Sequence, residues 1–321
     1  MSILIYAEYA EGKFKKVAFE LASYAKKVAE SLGTTVTAVT VNAGDVSELS
    51  KYGVDKVLKV NNDKLSGFTA KAYADVIKQA AQKENIKLIL LSSTTDSLYL
   101  SPLVSVALEA GYTSNVVGLP LSTSPFQVKR TAFSNKAFMI TEINTDVKVL
   151  GLAKNSYGMF ENPSTLTEED FNPTIGENDF GVKVESVEKV TGKVSIADAD
   201  IVVSAGRGLK GPENWGMIEE LASVLGAATA CSKPVSDLGW RPHGEHVGQT
   251  GKPVAANLYI AIGISGAIQH IAGINSSKVK VVINNDPEAP FFKVADYGIV
   301  GDAFEIVPKL IEKLKAFKAH N

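Results

Sequence analysis

The sequence is poor in cysteine, since Cys231 is its only one among 321 residues. A single cysteine excludes an internal disulfide framework and a cysteine-based metal site, and it fits a reducing compartment. No apolar run approaches the roughly 20 residues that a helix needs to cross a bilayer, so we expect no membrane insertion. Glu8 and Glu11 interrupt the short apolar start, which predicts a first strand rather than a signal peptide. These features together predict a cytoplasmic protein.

The chain also lacks an excess of charge of either sign. It has 33 Lys and Arg against 35 Asp and Glu, for a net charge of −2, without a long block of one sign. Nucleic-acid-binding proteins usually carry clustered positive charge, so nucleic acid is not an expected partner. With 45% hydrophobic and 21% charged residues the composition is that of a globular protein, and the length predicts two domains.

The first part of the chain alternates predicted strands with predicted helices. This alternation is typical of a mostly parallel α/β sheet. The predicted strands are 3–6, 35–41, 56–60 and 86–91, and the predicted helices are about 14–32, 70–83 and 100–110.

Beyond this part the pattern changes twice. Residues 126–153 alternate apolar and polar side chains, which predicts antiparallel strands. Residues 162–193 are rich in Pro, Gly, Asn, Asp and Glu, which predicts a linker that ends in a short connecting strand. We therefore expect an N-terminal α/β domain over residues 1–193 and a second domain over residues 194–321.

The second domain repeats the α/β pattern, with strands predicted at 199–203, 258–264 and 279–283 and a helix at 215–225. Three of its loops each follow a strand. Open α/β sheets bind ligands in the crevice at the carboxyl ends of their strands. We therefore expect a binding site formed by these loops.

The first loop contains Gly206-x-Gly208-x-x-Gly211, which matches the dinucleotide-binding pattern. No acidic residue follows about 20 positions later to bind a ribose, and this argues against nicotinamide-type binding. Arg207 within the loop suggests a cation directed at a phosphate. The alternative is a turn that merely requires glycine torsions.

The other two loops are Val247-Gly248-Gln249-Thr250 and Ser265 to His270. Side chains such as Gln249 and Thr250 can bond to the edge of a flat heteroaromatic ring. A serine and glycine that open a helix suit a pyrophosphate. The alternatives are an ordinary turn and a structural histidine. No Ser–His–Asp order or metal-ligand spacing supports a hydrolase or a metalloenzyme.

The run LYIAIGISGAIQHIAG, residues 258–273, resembles the signature of electron transfer flavoprotein α subunits. The segments SAGRGLKG, VGQTGK and DPEAPFFKVADYGIVGD stand in the family order across about 120 residues. The resemblance implies an adenine nucleotide alpha hydrolase-like N-terminal domain and a doubly wound, FAD-binding C-terminal domain. In the N-terminal domain it extends only to length and βαβ character, and we expect no cofactor there.

The resemblance also implies an electron carrier without an organic substrate of its own. Such a carrier takes electrons from dehydrogenases, for example acyl-CoA dehydrogenases of fatty acid β-oxidation, and passes them to a quinone oxidoreductase or another acceptor. It forms a heterodimer with a β subunit, which holds AMP or, in electron-bifurcating complexes, a second FAD. The N-terminal domain would contact this β subunit, and the linker would allow the FAD-binding domain to swivel.

Individual roles also follow from the resemblance. Arg207 and Ser265, Gly266 and Ala267 would face the pyrophosphate of FAD. Thr250 would bond near flavin N5, and His270 would face the C2 carbonyl oxygen. The other residues expected around FAD are Ser232, Lys233, Val247, Gly248, Gln249, Ile268, Gln269, Asn284 and, by the adenine, Asp302 and Ala303.

Lys233 departs from the family pattern, in which an arginine often follows the serine. The positive charge is kept, but the flat guanidinium that stacks on a ring is not. We expect Lys233 to favour the reduced, anionic flavin, together with Thr250 and His270. The alternative is that Lys233 is simply solvated.

Two other classes of function remain open from the sequence. One is an NAD-dependent dehydrogenase that uses the loop from Gly206 to Gly211. The other is a non-redox adenine-nucleotide-binding module, which the N-terminal βαβ pattern suggests. Within the family, the second hypothesis after the simple electron carrier is a subunit of an electron-bifurcating complex.

Overall fold

The computed structural model describes residues 2–133, 135–182, 184–186, 195–196 and 199–320. The chain forms two compact units. The N-terminal unit comprises Met1–Ala132 and Phe138–Glu188, and the C-terminal unit comprises Phe133–Ala137 and Lys189–Asn321.

The N-terminal unit is built on one large, mainly parallel sheet. Its strands are β1 (Ser2–Tyr6), β2 (Tyr9–Ala10), β3 (Lys13–Phe14), β4 (Thr35–Val41), β5 (Lys56–Val60), β6 (Leu88–Ser92), β7 (Gly111–Val116), β8 (Ser122–Thr123), β9 (Phe126–Ala132), β10 (Ala137–Ile143), β11 (Lys148–Leu152) and β12 (Thr167–Asp170). Among the described strands the sheet order is β10-β9-β7-β11-β6-β1-β4-β5-β12, with β8 paired to β9, while β2 and β3 form a separate hairpin.

Helices cover both faces of this sheet. They are α1 (Lys16–Leu32), α2 (Ala70–Lys83) and α3 (Thr95–Ala107), with short 3-10 turns at Ser47–Tyr52, Asp63–Leu65 and Glu177–Phe180. Ile3 and Ile5 of β1 pack in the cluster that contains α1, whereas Leu4 and Tyr6 pack in the cluster with α2 and α3. The alternation of side chains along a strand explains why both faces of β1 are buried.

Two predictions for this unit are wrong. Strand β11, which was expected to be antiparallel, pairs parallel with both β6 and β7. Its side chains from Val149 to Leu152 are all buried, and alternation along neighbouring strands does not determine strand direction. The range predicted as a linker contains β12, which pairs parallel with β5. The predicted connecting strand lies mostly outside the described residues.

A buried carboxylate lies at the carboxyl end of β1, beside β6. Glu8 is 3% exposed. It accepts hydrogen bonds from Lys15 Nζ (2.8 Å), Thr94 Oγ1 (2.6 Å), Ser97 Oγ (2.9 Å) and the Ser92 hydroxyl. Burial alone raises the pKa of a carboxyl group, but Lys15 and the hydroxyl groups outweigh it and hold the pKa of Glu8 below its ordinary value. The network thus joins β1 to the start of α3.

The C-terminal unit contains a second, entirely parallel sheet. Its strands are β13 (Ile201–Ala205), β14 (Ala228–Cys231), β15 (Leu258–Ile262), β16 (Val279–Asn284) and β17 (Tyr297–Val300). Within the described residues their order is β14-β13-β15-β16-β17, and each of the four neighbouring pairs is parallel. Numbered within the unit this is 2-1-3-4-5, an order of doubly wound sheets.

Helices flank this sheet on its two faces as well. They are α4 (Gly216–Leu225), α5 (Lys233–Asp237), α6 (Ile268–Ile274) and α7 (Ala303–His320), with 3-10 turns at Arg207–Leu209, Pro212–Trp215, His243–Glu245 and Pro290–Lys293. Residues of α4, α5 and α7 share one apolar cluster, and Ile274 of α6 belongs to the cluster on the other face. The predicted α/β fold class is confirmed in both units, although β17 and α7 were not predicted. Within the described part of the chain, no helix combines the length and apolarity that a membrane span requires.

Candidate functional site

A cavity of about 570 Å³ lies in the C-terminal unit, at the carboxyl ends of four strands. Its lining comes from the loops after β13, β14, β15 and β16 and from residues 246–250. In the sheet, β14 lies next to β13 on one edge, and the chain then returns to place β15 next to β13 on the opposite edge. The cavity therefore lies at the topological switch point, where doubly wound sheets bind their ligands.

Most of the predicted site residues line this one cavity, although they come from distant parts of the sequence. Those that do are Arg207, Ser232, Lys233, Val247, Gly248, Gln249, Thr250, Ser265, Ala267, Gln269, His270 and Asn284.

Four predicted residues do not line the cavity. Gly266 is buried at a φ of +88° against the backbone of Phe291, and Ile268 is 61% exposed. Asp302 and Ala303 lie at the start of α7, where the Asp302 carboxylate accepts a hydrogen bond from the Phe304 N–H (2.8 Å). Residues 302 and 303 stay candidates for contacts at the adenine end of an extended ligand.

The structure adds cavity residues that were not among the expected FAD contacts, although Gly208 belongs to the glycine pattern of the first loop. They are Gly208, Pro234, Asp237, His246, Gly263, Ile264 and Asp286. Their proximity to predicted residues is the one signal that could have found them, since His246 directly precedes Val247 and Pro234 follows Lys233.

Three glycines let the loops after β13 and β15 touch. A Cβ on Gly206 would lie 2.2 Å from the carbonyl oxygen of Gly263, and a Cβ on Gly208 would lie 2.6 Å from the Cα of Gly263. The Gly208 N–H donates to the Gly263 carbonyl (3.1 Å). Gly206 has an ordinary φ of −114°, so glycine is required there by close backbone approach, whereas Gly263 also has a left-handed φ of +60°.

The loop from Val247 to Gly251 is fixed to the sheet and to α6. The Val247 N–H donates to the carbonyl of Cys231 (3.0 Å), and the Gln249 N–H donates to the carbonyl of Gln269 (2.8 Å). Gly273 of α6 packs on Gly248, since a Cβ on Gly273 would lie 2.6 Å from the Cα of Gly248. The side chains of Gln249 and Thr250 are exposed at the cavity.

The segment from Ser265 to Ala267 differs from its prediction. Ser265 does not open a helix, because α6 begins at Ile268 and has 7 residues. Asn284 holds this segment in place, since its Nδ2 donates to the Ile264 carbonyl (3.0 Å) while its Oδ1 accepts from the Asp286 N–H (3.0 Å). A dipole from a long helix is therefore not available at Ser265.

His270 is a buried residue of α6, 6% exposed. Its Nε2 lies 2.9 Å from the hydroxyl of Tyr259, and its Nδ1 has no hydrogen-bond partner among the described residues. Burial, and then the charge of His246, lower the pKa of His270 to about 4, although the backbone of Val247 acts in the opposite direction. Burial therefore favours the neutral form of His270 at pH 7, and this form offers hydrogen-bonding groups without a positive charge.

The charged lining residues are of both signs. Arg207 and Lys233 supply positive charge, and Asp237 and Asp286 supply negative charge. Lys233 lies at the start of α5 and is exposed. Its charge is one cause of the lowered pKa of His246, after burial. Among the described residues no group of three or more His, Cys, Asp or Glu is placed to hold a metal ion.

Comparison with known proteins assigns the chain to a family. The pattern described as "Electron transfer flavoprotein domain" matches residues 3–172, and that described as "Electron transfer flavoprotein FAD-binding domain" matches residues 195–275. An electron transfer flavoprotein subunit alpha of Thermoanaerobacterium thermosaccharolyticum is 38% identical over 98% of each chain. The chain belongs to the electron transfer flavoprotein α-subunit family.

Other members of this family cover the chain over nearly its whole length. The electron transfer flavoprotein subunit alpha of Bacillus subtilis is 34% identical over 99% of each chain. The LctC subunit of the lactate dehydrogenase (NAD(+),ferredoxin) of Acetobacterium woodii is 31% identical over 98% of this chain and 77% of that protein. The match to the FAD-binding pattern lies in the C-terminal unit, which also contains the cavity.

Proposed function

We propose that the chain is the FAD-binding α subunit of a heterodimeric electron transfer flavoprotein and acts as an electron carrier. The main support for this proposal is that loops separated by up to about 80 residues in sequence converge on one cavity at the switch point of a parallel sheet. This cavity falls within the usual size range of cofactor sites, roughly 300–1,000 Å³. The partner of this α subunit would be the β subunit, and the complex would be located in the cytoplasm.

The residues present fit FAD as a ligand. The loops after β13 and β15 approach so closely that side chains are excluded between them, as a site for a pyrophosphate near the backbone requires. Arg207 offers a cation for phosphate oxygens, and Gln249 and Thr250 offer polar groups for a ring edge. The unpartnered Nδ1 of buried His270 is a further polar atom in the wall. FAD itself supplies the reversible uptake of electrons, and the protein supplies position and electrostatics.

An extended ligand would continue from the cavity toward Asp302. Lys210, two residues after the lining residue Gly208, has its Nζ 4.0 Å from Asp302 Oδ2 and 4.8 Å from the centre of the Phe304 ring. We propose that this end receives the adenine, and that Asp302 and Ala303 contact it.

The central test is purification of the chain together with its β subunit, followed by flavin absorbance and quantification of released cofactor. We expect FAD to be retained by the α chain. A complex that binds only AMP or ATP would exclude the electron carrier and favour a non-redox adenine-nucleotide-binding module. A complex that binds a nicotinamide cofactor instead would favour an NAD-dependent dehydrogenase.

A second candidate is a subunit of an electron-bifurcating complex, which the similarity to LctC favours. In that case the β subunit would hold a second FAD, whereas a simple carrier would hold AMP there. Counting FAD and AMP per heterodimer separates the two. For a simple carrier we propose acyl-CoA or other dehydrogenases as donors and a quinone oxidoreductase as acceptor, which reconstitution with each candidate would check.

Lys233 gives a prediction for the redox potential. Positive charge near a flavin favours its reduced, anionic form by roughly 1 kcal/mol or less for a solvated cation at close range. We therefore expect Lys233→Ala to lower the midpoint potential and Lys233→Arg to keep or raise it. Lys252→Ala is the matched control, because Lys252 is an exposed lysine outside the lining. Potentials that agree for Lys233→Ala, the control and the wild type would show that Lys233 is simply solvated.

A further inference from the structure

His246 lines the cavity but does not belong to the residues expected to contact FAD. It is 7% exposed and lines the cavity together with Lys233 and Thr250. Its ring lies inside the turn that carries Gln249 and Thr250. A Cβ on Gly248 would be 3.4 Å from its Nε2, and a Cβ on Gly251 would be 2.9 Å from its Nδ1. The imidazole is therefore packed directly behind the residues proposed to face the flavin ring.

The backbone of His246 is held on both sides. Its N–H donates to the carbonyl of His243 (3.1 Å), and its carbonyl accepts from the N–H of Lys252 (2.8 Å). It also forms a parallel bridge with Cys231 at the end of β14. These contacts keep the ring at the cavity wall and limit its retreat into solvent when its charge changes.

Charged groups from several elements surround this histidine. From α5, Lys233 disfavours its protonation and Asp237 favours it, while His243 from the preceding turn disfavours it. A charged His246 lowers the pKa of His270 of α6, and Arg207 and Asp286 line the same cavity. Burial and Lys233 lower the pKa of His246 from its ordinary value, which favours the neutral ring while the cavity holds no added negative charge.

Negative charge in the cavity reverses this balance. An opposite charge within about 4–6 Å favours the protonated form of a histidine. By linkage, a ligand that favours protonation of His246 is itself held more tightly when His246 is protonated. We propose that His246 takes up a proton from solvent when the ligand of this cavity gains an electron, so that electron uptake by the protein is coupled to proton uptake.

This coupling rests on the proposed function, because it needs a cofactor that becomes anionic on reduction. The electron comes from the donor dehydrogenase and stays on the cofactor, and the proton comes from water and stays on His246. Release of the electron to the acceptor returns the proton to solvent. His246 would thus make the carrier's midpoint potential depend on pH in the range where a histidine titrates.

The experiment compares the αβ complex of the wild type, His246→Gln and His243→Gln. Glutamine keeps a polar side chain but cannot be protonated in this range. His243 is the matched control, since it lies three residues earlier, is exposed, bonds to Ser236 Oγ (3.0 Å) and does not line the cavity. FAD content of each complex is measured first, so that a protein without FAD counts against the proposed function and not against the coupling.

Midpoint potentials are then measured between about pH 5 and pH 8, around the ordinary histidine pKa of about 6.5. At pH 5 we expect the ratio of affinities for reduced and oxidised FAD to be about tenfold higher in the wild type than in His246→Gln, as a one-unit pKa shift requires. At pH 8 the two should agree. His243→Gln should keep the pH dependence of the wild type, because His243 affects the pKa of His246 less than burial, Lys233 or Asp237 do. Parallel curves for the wild type and His246→Gln would overturn the proposal.

A second readout follows the ring itself. Histidine NMR titrations of the wild type, assigned with the two variants, should show a higher pKa for His246 with reduced FAD than with oxidised FAD. The signal of His243 should change little between the two states. An unchanged His246 titration would also overturn the coupling.

Discussion

Replacing Gly206 by alanine is expected to abolish stable FAD binding and to destabilise the C-terminal unit. The added Cβ would lie 2.2 Å from the carbonyl oxygen of Gly263, a distance that no packed pair tolerates. The loops after β13 and β15 would have to separate, and the Gly208 to Gly263 hydrogen bond (3.1 Å) would be lost with them. Overpacking of this kind costs about 3 kcal/mol.

Gly216→Ala is the matched control for this substitution. Gly216 begins α4 in the same unit, and a Cβ there would meet nothing within 4 Å. Alanine at such a position is neutral or stabilises by about 0.4–1 kcal/mol. Flavin absorbance reports retention of FAD, and fluorescence of Trp215 and Trp240, the two tryptophans, reports unfolding of the C-terminal unit. If Gly206→Ala retains FAD as well as Gly216→Ala does, the loops do not form the site.

Replacing Glu8 by alanine is expected to destabilise the N-terminal unit by about 3 kcal/mol. The change removes a buried acceptor from Lys15 and from three hydroxyl groups at once, and each buried donor left without a partner costs about 1–3 kcal/mol. Ser92 and Ser97 can still bond to each other (3.0 Å), which offsets part of the loss. Amide hydrogen exchange in β1 and β6 measures the opening free energy of this unit.

The control for Glu8 is Glu168→Ala, which breaks the exposed pair with Lys59 (3.1 Å). An exposed ion pair contributes at most about 1 kcal/mol, so this variant should exchange almost as slowly as the wild type. If the amides of β1 exchange equally slowly in both variants, the Glu8 network does not stabilise the N-terminal unit.

The same network predicts a pH dependence. Because the folded protein lowers the pKa of Glu8 below the ordinary value of 4.5, the ionised carboxylate contributes stability above pH 4.5 that is lost as the pH falls through the lowered pKa. The advantage of the wild type over Glu8→Gln should therefore shrink on acidification below pH 4.5. An advantage that stays constant down to pH 2 would contradict a charged Glu8 in the folded protein.

Local pattern predicted many individual elements of the fold. The strand Thr35–Val41 and the helix Ala70–Lys83 have the predicted bounds, and the helix that ends before Gly33 has Gly33 as its left-handed C-cap. Side-chain periodicity and glycine capping act over a few residues, so they are legible in sequence. The direction of β11 and the pairing of β12 with β5 could not be predicted, since they depend on partner strands that are distant in the sequence.

Residue types along the chain were sufficient to predict the chemistry of the candidate site, because they show which loops carry glycine, a cation, amide and hydroxyl groups and a histidine. Which of these groups come together depends on how the strands are ordered in the folded protein. Strand order brings the loops around Gly206, Val247 and Ser265 to one switch point and places His246 among them. Tertiary packing also favours the neutral form of His270, because burial lowers a pKa that the residue type alone leaves near neutrality. Residue type fixes what a side chain can do, whereas long-range packing fixes its neighbours and its access to water.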